Sequence, residues 1–361
     1  MIGSLSLSND NSSIAVSIDH GFFVYSTDPL VRKFQKEFQL YNITKVTTSN
    51  DGNFIAFVGI STEESTENQP QQSTSITSTV TNAITSVLSS ALSSNNHNAN
   101  ENENAKATVF VWNNFYGECH CRFDLDKKKG ENRVLAMKLI GQLLLIVFES
   151  KTCVFDIETK MMKLQHNTEM NTNGAADVII SPEDGETQLV AVCSAEVGKI
   201  DVYQLVSGEN PSRFSIYAAK HPVTLIKFSP DSTLIATASE KGTLIRVFDS
   251  TTGSALSTFR RGALMPASIL DVCFSPSNTE LVAISSNGTV HLFQSDIRNT
   301  NQNEYPRSVA KLAIDKAAFV QSAFRNQDEF YILASTGHFY TISVSEQNAL
   351  VLKSKQSVLE V

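Results

Sequence analysis

Two adjacent arginines stand in the run Phe259-Arg260-Arg261-Gly262, between a strand-like stretch at residues 254–258 and an apolar one at residues 269–274. In an extended chain, consecutive side chains leave on opposite sides, so Arg260 and Arg261 are placed to serve two pockets, one on each flanking unit. Gly262 is expected to free the backbone just after them. Guanidinium groups suit planar, bidentate capture of phosphate. Taken alone, an arginine pair reads as a solvated basic turn, and the flanking segments shift that balance. Thr237-Ala238-Ser239-Glu240-Lys241-Gly242-Thr243 aligns with Ala283-Ile284-Ser285-Ser286-Asn287-Gly288-Thr289 at a constant offset of 46 residues. Each segment ends a strand on Ser and starts the next with Thr across a Gly-containing turn. A basic residue follows in the second strand, Arg246 in one and His291 in the other. Hydroxyls, Arg and His together make a phosphate pocket that needs no metal. Each residue also has a plainer reading: Ser239 and Ser285 as turn residues, Thr243 and Thr289 as β-branched strand filling.

The elements that must position these residues repeat along the chain. A Ser followed by turn residues recurs at Ser8, Ser49, Ser181, Ser229 and Ser275. A short apolar strand comes next, at residues 13–17, 53–58, 188–193, 234–238 and 280–284, then a turn and a second strand that mostly ends on an aromatic residue. Those strand ends are Tyr25, Trp112, Phe155, Tyr203, Phe248 and Phe293; a seventh strand, at residues 338–342, carries its aromatics earlier. From Trp112 onward the spacings are 43, 48, 45 and 45 residues, whereas Tyr25 to Trp112 spans 87. The long interval holds a low-complexity insertion at residues 61–107, and removing those 47 residues leaves 40. Seven units of this length, each of several short strands, predict an all-β fold: a single seven-bladed β-propeller of WD40 type over residues 1–361. Ring closure removes exposed sheet edges. The Trp-Asp signature of ordinary WD40 repeats is largely missing, with Phe155-Asp156 and Phe248-Asp249 as its nearest relics.

Composition narrows the function classes. With 41% hydrophobic and 18% charged residues, the 361-residue chain has the make-up of a folded protein with a large core. A net charge of −8 gives no global attraction to nucleic acid or to an anionic membrane, so any anion binding must be local. No run of 18 apolar residues occurs, and residues 1–13 lack the features of a signal peptide. Five scattered cysteines, Cys119, Cys121, Cys153, Cys193 and Cys273, read as reduced thiols in a cytosolic protein. Cys119-His120-Cys121 has no second ligand pair, so no metal is expected there. Nor is any nucleophile motif or paired-carboxylate site recognisable, which argues against an enzyme; no cofactor is called for.

The stretch from Phe259 to Gly262, with residues 234–249 (Leu-Ile-Ala-Thr-Ala-Ser-Glu-Lys-Gly-Thr-Leu-Ile-Arg-Val-Phe-Asp), resembles the PROPPIN family; the likeness extends to His221 before it and residues 285–293 after it, and more weakly over residues 134–159 and the rest of the ring. The resemblance implies a seven-bladed propeller that binds phosphatidylinositol 3-phosphate and the 3,5-bisphosphate and serves autophagy and endosomal traffic. It implies one pocket of Arg260 with Ser239, Thr243, Arg246 and His221, and a second of Arg261 with Ser285, Thr289 and His291. Because His221 precedes Pro222, it also reads as a blade-connection residue. Phosphoinositide-containing membranes and autophagy proteins are the implied partners, and a monomer is expected in solution. The alternative is a WD40-type protein-interaction scaffold without lipid binding.

Two segments complete the reading. In the family a long, partly apolar loop of blade six dips into the bilayer, whereas residues 295–307 are rich in Asn and Gln, with Ile297 and Tyr305 as the plausible inserters. The insertion is mostly polar and reads as disordered, apart from residues 73–94, which carry no charge. There Ile76, Val80, Ile84, Val87, Leu88 and Leu92 fall on one stripe of a helix, opposite a Ser/Thr/Asn face. This pattern suits an amphipathic helix lying on loosely packed membrane; the alternative is a Ser/Thr-rich linker.

Overall fold

A serine hydroxyl that receives the amide of the residue five positions on closes the turn before a blade's second strand. Ser13 N donates to Ser8 Oγ at 2.9 Å, Phe54 N to Ser49 Oγ at 3.0 Å, Leu234 N to Ser229 Oγ at 2.9 Å and Glu280 N to Ser275 Oγ at 3.1 Å. The recurring serine is thus a turn clamp, in which a local side-chain bond satisfies a backbone donor that the sheet leaves over.

The computed structural model describes residues 2–61, 108–124, 133–168, 171–262, 267–294, 297 and 305–359. These form seven four-stranded antiparallel sheets, each a meander of consecutive strands, arranged as a β-propeller. Blades one to seven span residues 2–37, 41–124, 134–167, 176–217, 223–260, 269–313 and 320–357. The possible helix at 73–94 lies outside the described residues. Ser61, read from sequence as the start of the insertion, instead ends the strand Phe54–Ser61 and pairs with Tyr41.

Burial follows the position of a strand in its blade. The second strands Leu143–Phe148, Leu234–Ser239 and Glu280–Ser285 are buried along their whole length, because neighbouring blades cover both of their faces. The outer strands Leu30–Glu37 and Leu350–Ser357 are largely exposed and carry Lys and Arg outward, which discourages edge pairing with another chain. Closure of the ring uses no shared strand. Blades one and seven meet through Leu5, Ile14, Val16, Tyr331, Leu333 and Phe339, and Leu7 N donates to Gln321 Oε1 at 2.6 Å.

The innermost strands are tied by buried polar contacts. Lys138 bonds Asp177 at 2.7 Å, and Asp177 also accepts from Phe228 N at 2.8 Å. Asp271 lies 3.5 Å from Lys227 and accepts from Ser322 N at 2.6 Å and Ser322 Oγ at 2.9 Å. Each buried carboxylate therefore joins adjacent blades with its charge answered. The relic aspartates hold hairpin turns: Asp156 Oδ1 accepts from Glu158 N at 3.0 Å and Thr159 N at 2.9 Å, and Asp249 Oδ1 from Thr251 N at 3.0 Å and Thr252 N at 2.8 Å.

Candidate functional site at the rim of blades five and six

Strand register separates the two arginines. In blade five, Arg246 pairs with Thr237 on one side and Thr258 on the other, and Leu244 pairs with Arg260. Alternation then puts Ser239, Thr237, Arg246, Thr258 and Arg260 on one face of the sheet. The opposite face, with Ala238, Ile245 and Phe259, packs against Ile269, Val272 and Leu281 of blade six. The face with Arg246 and Arg260 is accordingly turned toward blade four. Arg261, one residue on, reverses direction. Its amide extends the ladder to Thr243 O at 3.0 Å, and its Nε donates to Gly242 O at 2.6 Å. Burial pulls this guanidinium below the ordinary arginine value.

The turn under Arg261 admits only glycine at its tip. Gly242 has φ +58°, and a Cβ there would stand 2.0 Å from Ala267 O in the connection to blade six. Gly288 repeats this in the next blade, with φ +81° and Ile314 O at 2.5 Å. Gly262 differs from expectation: its φ is outside the left-handed region and, among the described residues, a Cβ would meet nothing within 4 Å, so its own backbone conformation does not require glycine. The path there is held by backbone bonds of the arginines themselves, including Arg260 N to Pro306 O at 2.8 Å.

Several of the candidate residues of blade five lie partly open to solvent. Glu240 N donates to Pro222 O at 3.1 Å, which brings the connection from blade four against the turn and sets His221 Nδ1 3.7 Å from Glu240 Oε1. His221 and Glu240 are both about half exposed. Arg246 is half-buried, and no side-chain hydrogen bond or ion pair engages it among the described residues. The Arg260 guanidinium sits 5.5 Å over the exposed Tyr305 ring, a cation–π contact. Thr243 contributes its carbonyl to Arg261, while its half-buried side chain stays at the rim.

The candidate residues of blade six are closed off from solvent to a greater degree. Ser285 pairs with Thr289, and Ala283 with His291, so Ser285, Thr289 and His291 share the face turned toward blade five. His291 is 3% exposed; Nδ1 contacts Ser308 Oγ at 3.3 Å, and the buried Nε2 has no hydrogen-bond partner among the described residues. Burial, with the positive charges of Lys311 and Arg261, pushes its pKa down to about 4, so the imidazole is neutral at pH 7. Ser285 Oγ donates to Asn287 Oδ1 at 2.6 Å and lies 3.0 Å from Thr289 O. It braces its own turn, as the plainer reading of this serine anticipated.

Several residues were not visible from the sequence. Lys311 pairs directly with His291 across the hairpin, and Arg307 bridges Arg260 in parallel. The length of the intervening loop hides that register. Ile297 overturns its expected role as an inserter. It is 2% exposed, packs with Phe259 and Phe293, and its carbonyl accepts from Ser257 Oγ at 2.5 Å. An apolar side chain in a polar loop here anchors the loop to the blade. Tyr305 remains exposed beneath Arg260. His120, of the Cys-His-Cys run, spends Nε2 on Ile157 O at 3.1 Å, and no group of three potential metal ligands occurs among the described residues.

Comparison with known proteins places this geometry in a lineage. The PROPPIN family pattern matches residues 115–326, which contain both sets of candidate residues. Autophagy-related protein 18 of Dictyostelium discoideum is 31% identical over 172 residues, covering 48% of this chain and 45% of that protein. WD repeat domain phosphoinositide-interacting protein 2 of Xenopus laevis is 33% identical over 178 residues, covering 49% and 40%. The chain thus spans somewhat under half the length of these relatives. A Kluyveromyces lactis Hsv2 structure superposes with a TM-score of 0.73 at 17% identity, covering 99% of each chain, which is a likeness of fold. With more than half of its length matched by the family pattern and the same propeller architecture, the chain belongs to the PROPPIN family.

Proposed function

We propose that this protein is a non-enzymatic scaffold that reads 3-phosphorylated phosphoinositides, phosphatidylinositol 3-phosphate and the 3,5-bisphosphate, through the two rim pockets. On this reading Arg260, Arg246, Ser239, Thr243 and His221 take one headgroup, and Arg261, Ser285, Thr289 and His291 take the other. The observation that carries it is His291 Nε2, buried without a partner among the described residues and within the influence of the Lys311 and Arg261 charges. A buried polar atom left unpaired is costly, and an anion bound there answers both the open nitrogen and the excess positive charge. Among the described residues no helix is long and apolar enough to cross a membrane. Attachment by lipid headgroups is consistent with that, and two pockets facing one bilayer multiply their affinities through effective concentration. The family likeness supports reading it as a cytoplasmic protein, peripherally held on autophagosome-precursor, endosomal or vacuolar membranes, that gathers autophagy proteins there.

Liposome flotation tests the reading. Replacing Arg260 and Arg261 together by Thr should abolish recovery on vesicles containing phosphatidylinositol 3-phosphate while the thermal unfolding curve is kept. Full recovery of the folded double variant would leave the alternative, a propeller that binds only proteins.

A further inference from the structure

Blade seven repeats the strand positions of the two pockets and finishes them differently. In blade six, His291 pairs with Ala283 inward and Lys311 outward. In blade seven, Tyr340 pairs with Ile332 inward and Lys355 outward. His338 stands where blade six has Thr289, two residues before the central side chain. Tyr340 and Ile332 pack with the blade-six residues Val282, Ile284, Val290 and Leu292, so this face is turned toward the preceding blade, as in blades five and six.

The connection entering each blade supplies one more side chain. For blade five it is His221 and for blade six Arg261. For blade seven it is Asp315, which follows Ile314; Ile314 N bonds Gly288 O at 2.8 Å, much as Arg261 N bonds Thr243 O at 3.0 Å. Asp315 Oδ2 accepts from Tyr340 OH at 2.9 Å and Lys355 Nζ at 2.7 Å and lies 3.3 Å from His338 Nδ1. Three groups from two strands thus converge on one oxygen. That is how a small anion is held, with the anion here covalently part of the chain. The Asp315 carboxylate is about half exposed, so it fills the mouth of the pocket and not its floor.

We propose that blade seven carries a third phosphate-sized pocket, formed by His338, Tyr340 and Lys355, which Asp315 occupies in place of a ligand. Asp315 therefore sets how many phosphate groups this rim accepts. The inference rests on the phosphate-binding reading of blades five and six for its choice of ligand. Its test does not depend on those pockets working.

The experiment is calorimetric titration with soluble inositol 1,3-bisphosphate, and separately with inorganic phosphate. It compares the wild type, Asp315→Ser, and Asp315→Ser in the Arg260→Thr/Arg261→Thr background. Asp315→Ser should gain one site over its parent in both backgrounds, and adding Lys355→Ala should remove that site. A gain with both ligands identifies a pocket for bare phosphate, and a gain with the inositol compound alone a headgroup pocket. Two sites in the wild type and two in the folded Asp315→Ser variant would overturn the third pocket and leave the first two standing. No binding in the wild type would count against the phosphoinositide reading, and the gain or lack of one site in Asp315→Ser would still decide this one. Asp315→Gly, which also empties the pocket, replaces the serine variant if the latter fails to fold.

Discussion

Blades five and six place a basic side chain at the same strand position, Arg246 in one and His291 in the other, and differ in how much of the pocket is made in advance. In blade six the arginine is buried with Nε fixed on Gly242 O, and the histidine is sealed with one nitrogen open. In blade five Arg246 and His221 are half in solvent, and Glu240 stands 3.7 Å from the histidine. A preorganised pocket loses little conformational entropy on binding, whereas an exposed one must order long side chains and displace a competing carboxylate. The blade-six site should therefore be the tighter and more selective, and the blade-five site the weaker and more dependent on the membrane's own charge.

This contrast is broken most strongly by removing the buried guanidinium. Arg261→Ala should weaken the blade-six site on the order of 100-fold, since charge-assisted bonds are worth about 1.5–3 kcal/mol each. Arg246→Ala should cost the blade-five site only about 10-fold, and each single change should leave vesicle binding reduced but present. Equal losses in the two variants, read by titration with soluble headgroup, would erase the distinction.

The buried histidine sharpens the contrast through pH. The His291 pKa is held at about 4 in the folded protein, against about 6.5 for an unfolded histidine. Below pH 6.5 the unfolded chain takes up the proton first, so folding loses stability as pH falls and the loss levels off below 4. By pH 5 it amounts to about 2 kcal/mol. Denaturant unfolding at pH 7 and pH 5 should show this drop in the wild type and a smaller one in His291→Gln. An equal drop in both would mean that the imidazole is not sealed.

The smallest effect concerns Glu240. Glu240→Gln removes the carboxylate that competes for His221 and should tighten the blade-five site about two- to threefold at low salt, an effect that fades as salt screens the rim. Unchanged affinity at low salt would show that Glu240 and His221 do not interact when ligand is bound.

Much of this was legible in the sequence, for physical reasons. The second and third strands of most blades stood out because both faces are buried, giving apolar runs punctuated by a Ser clamp and a closing aromatic. The arginine pair alone read as a basic turn, and it became a candidate only through the Ser, Gly and Thr segments that repeat on either side of it at a constant offset of 46 residues. The outer strands were harder to read, since Leu350–Ser357 and Ala310–Ala313 are mostly exposed or only half-buried and give no sustained apolar run. Lys311 was hidden because its pairing with His291 depends on a register that passes through a long loop. Ile297 misled, since an isolated apolar residue in a polar loop reads alike whether it enters a membrane or its own core. Asp315 had no signal, because its meaning lies in the three donors that the fold gathers around it.

The central claim is that one arginine pair serves two separate anion pockets on adjacent blades. Calorimetric titration of the wild type and His291→Ala with soluble inositol 1,3-bisphosphate tests it most directly. Two sites in the wild type, the weaker alone surviving in His291→Ala, is the predicted result. A single site in the wild type, or two unaltered sites in His291→Ala, would contradict it.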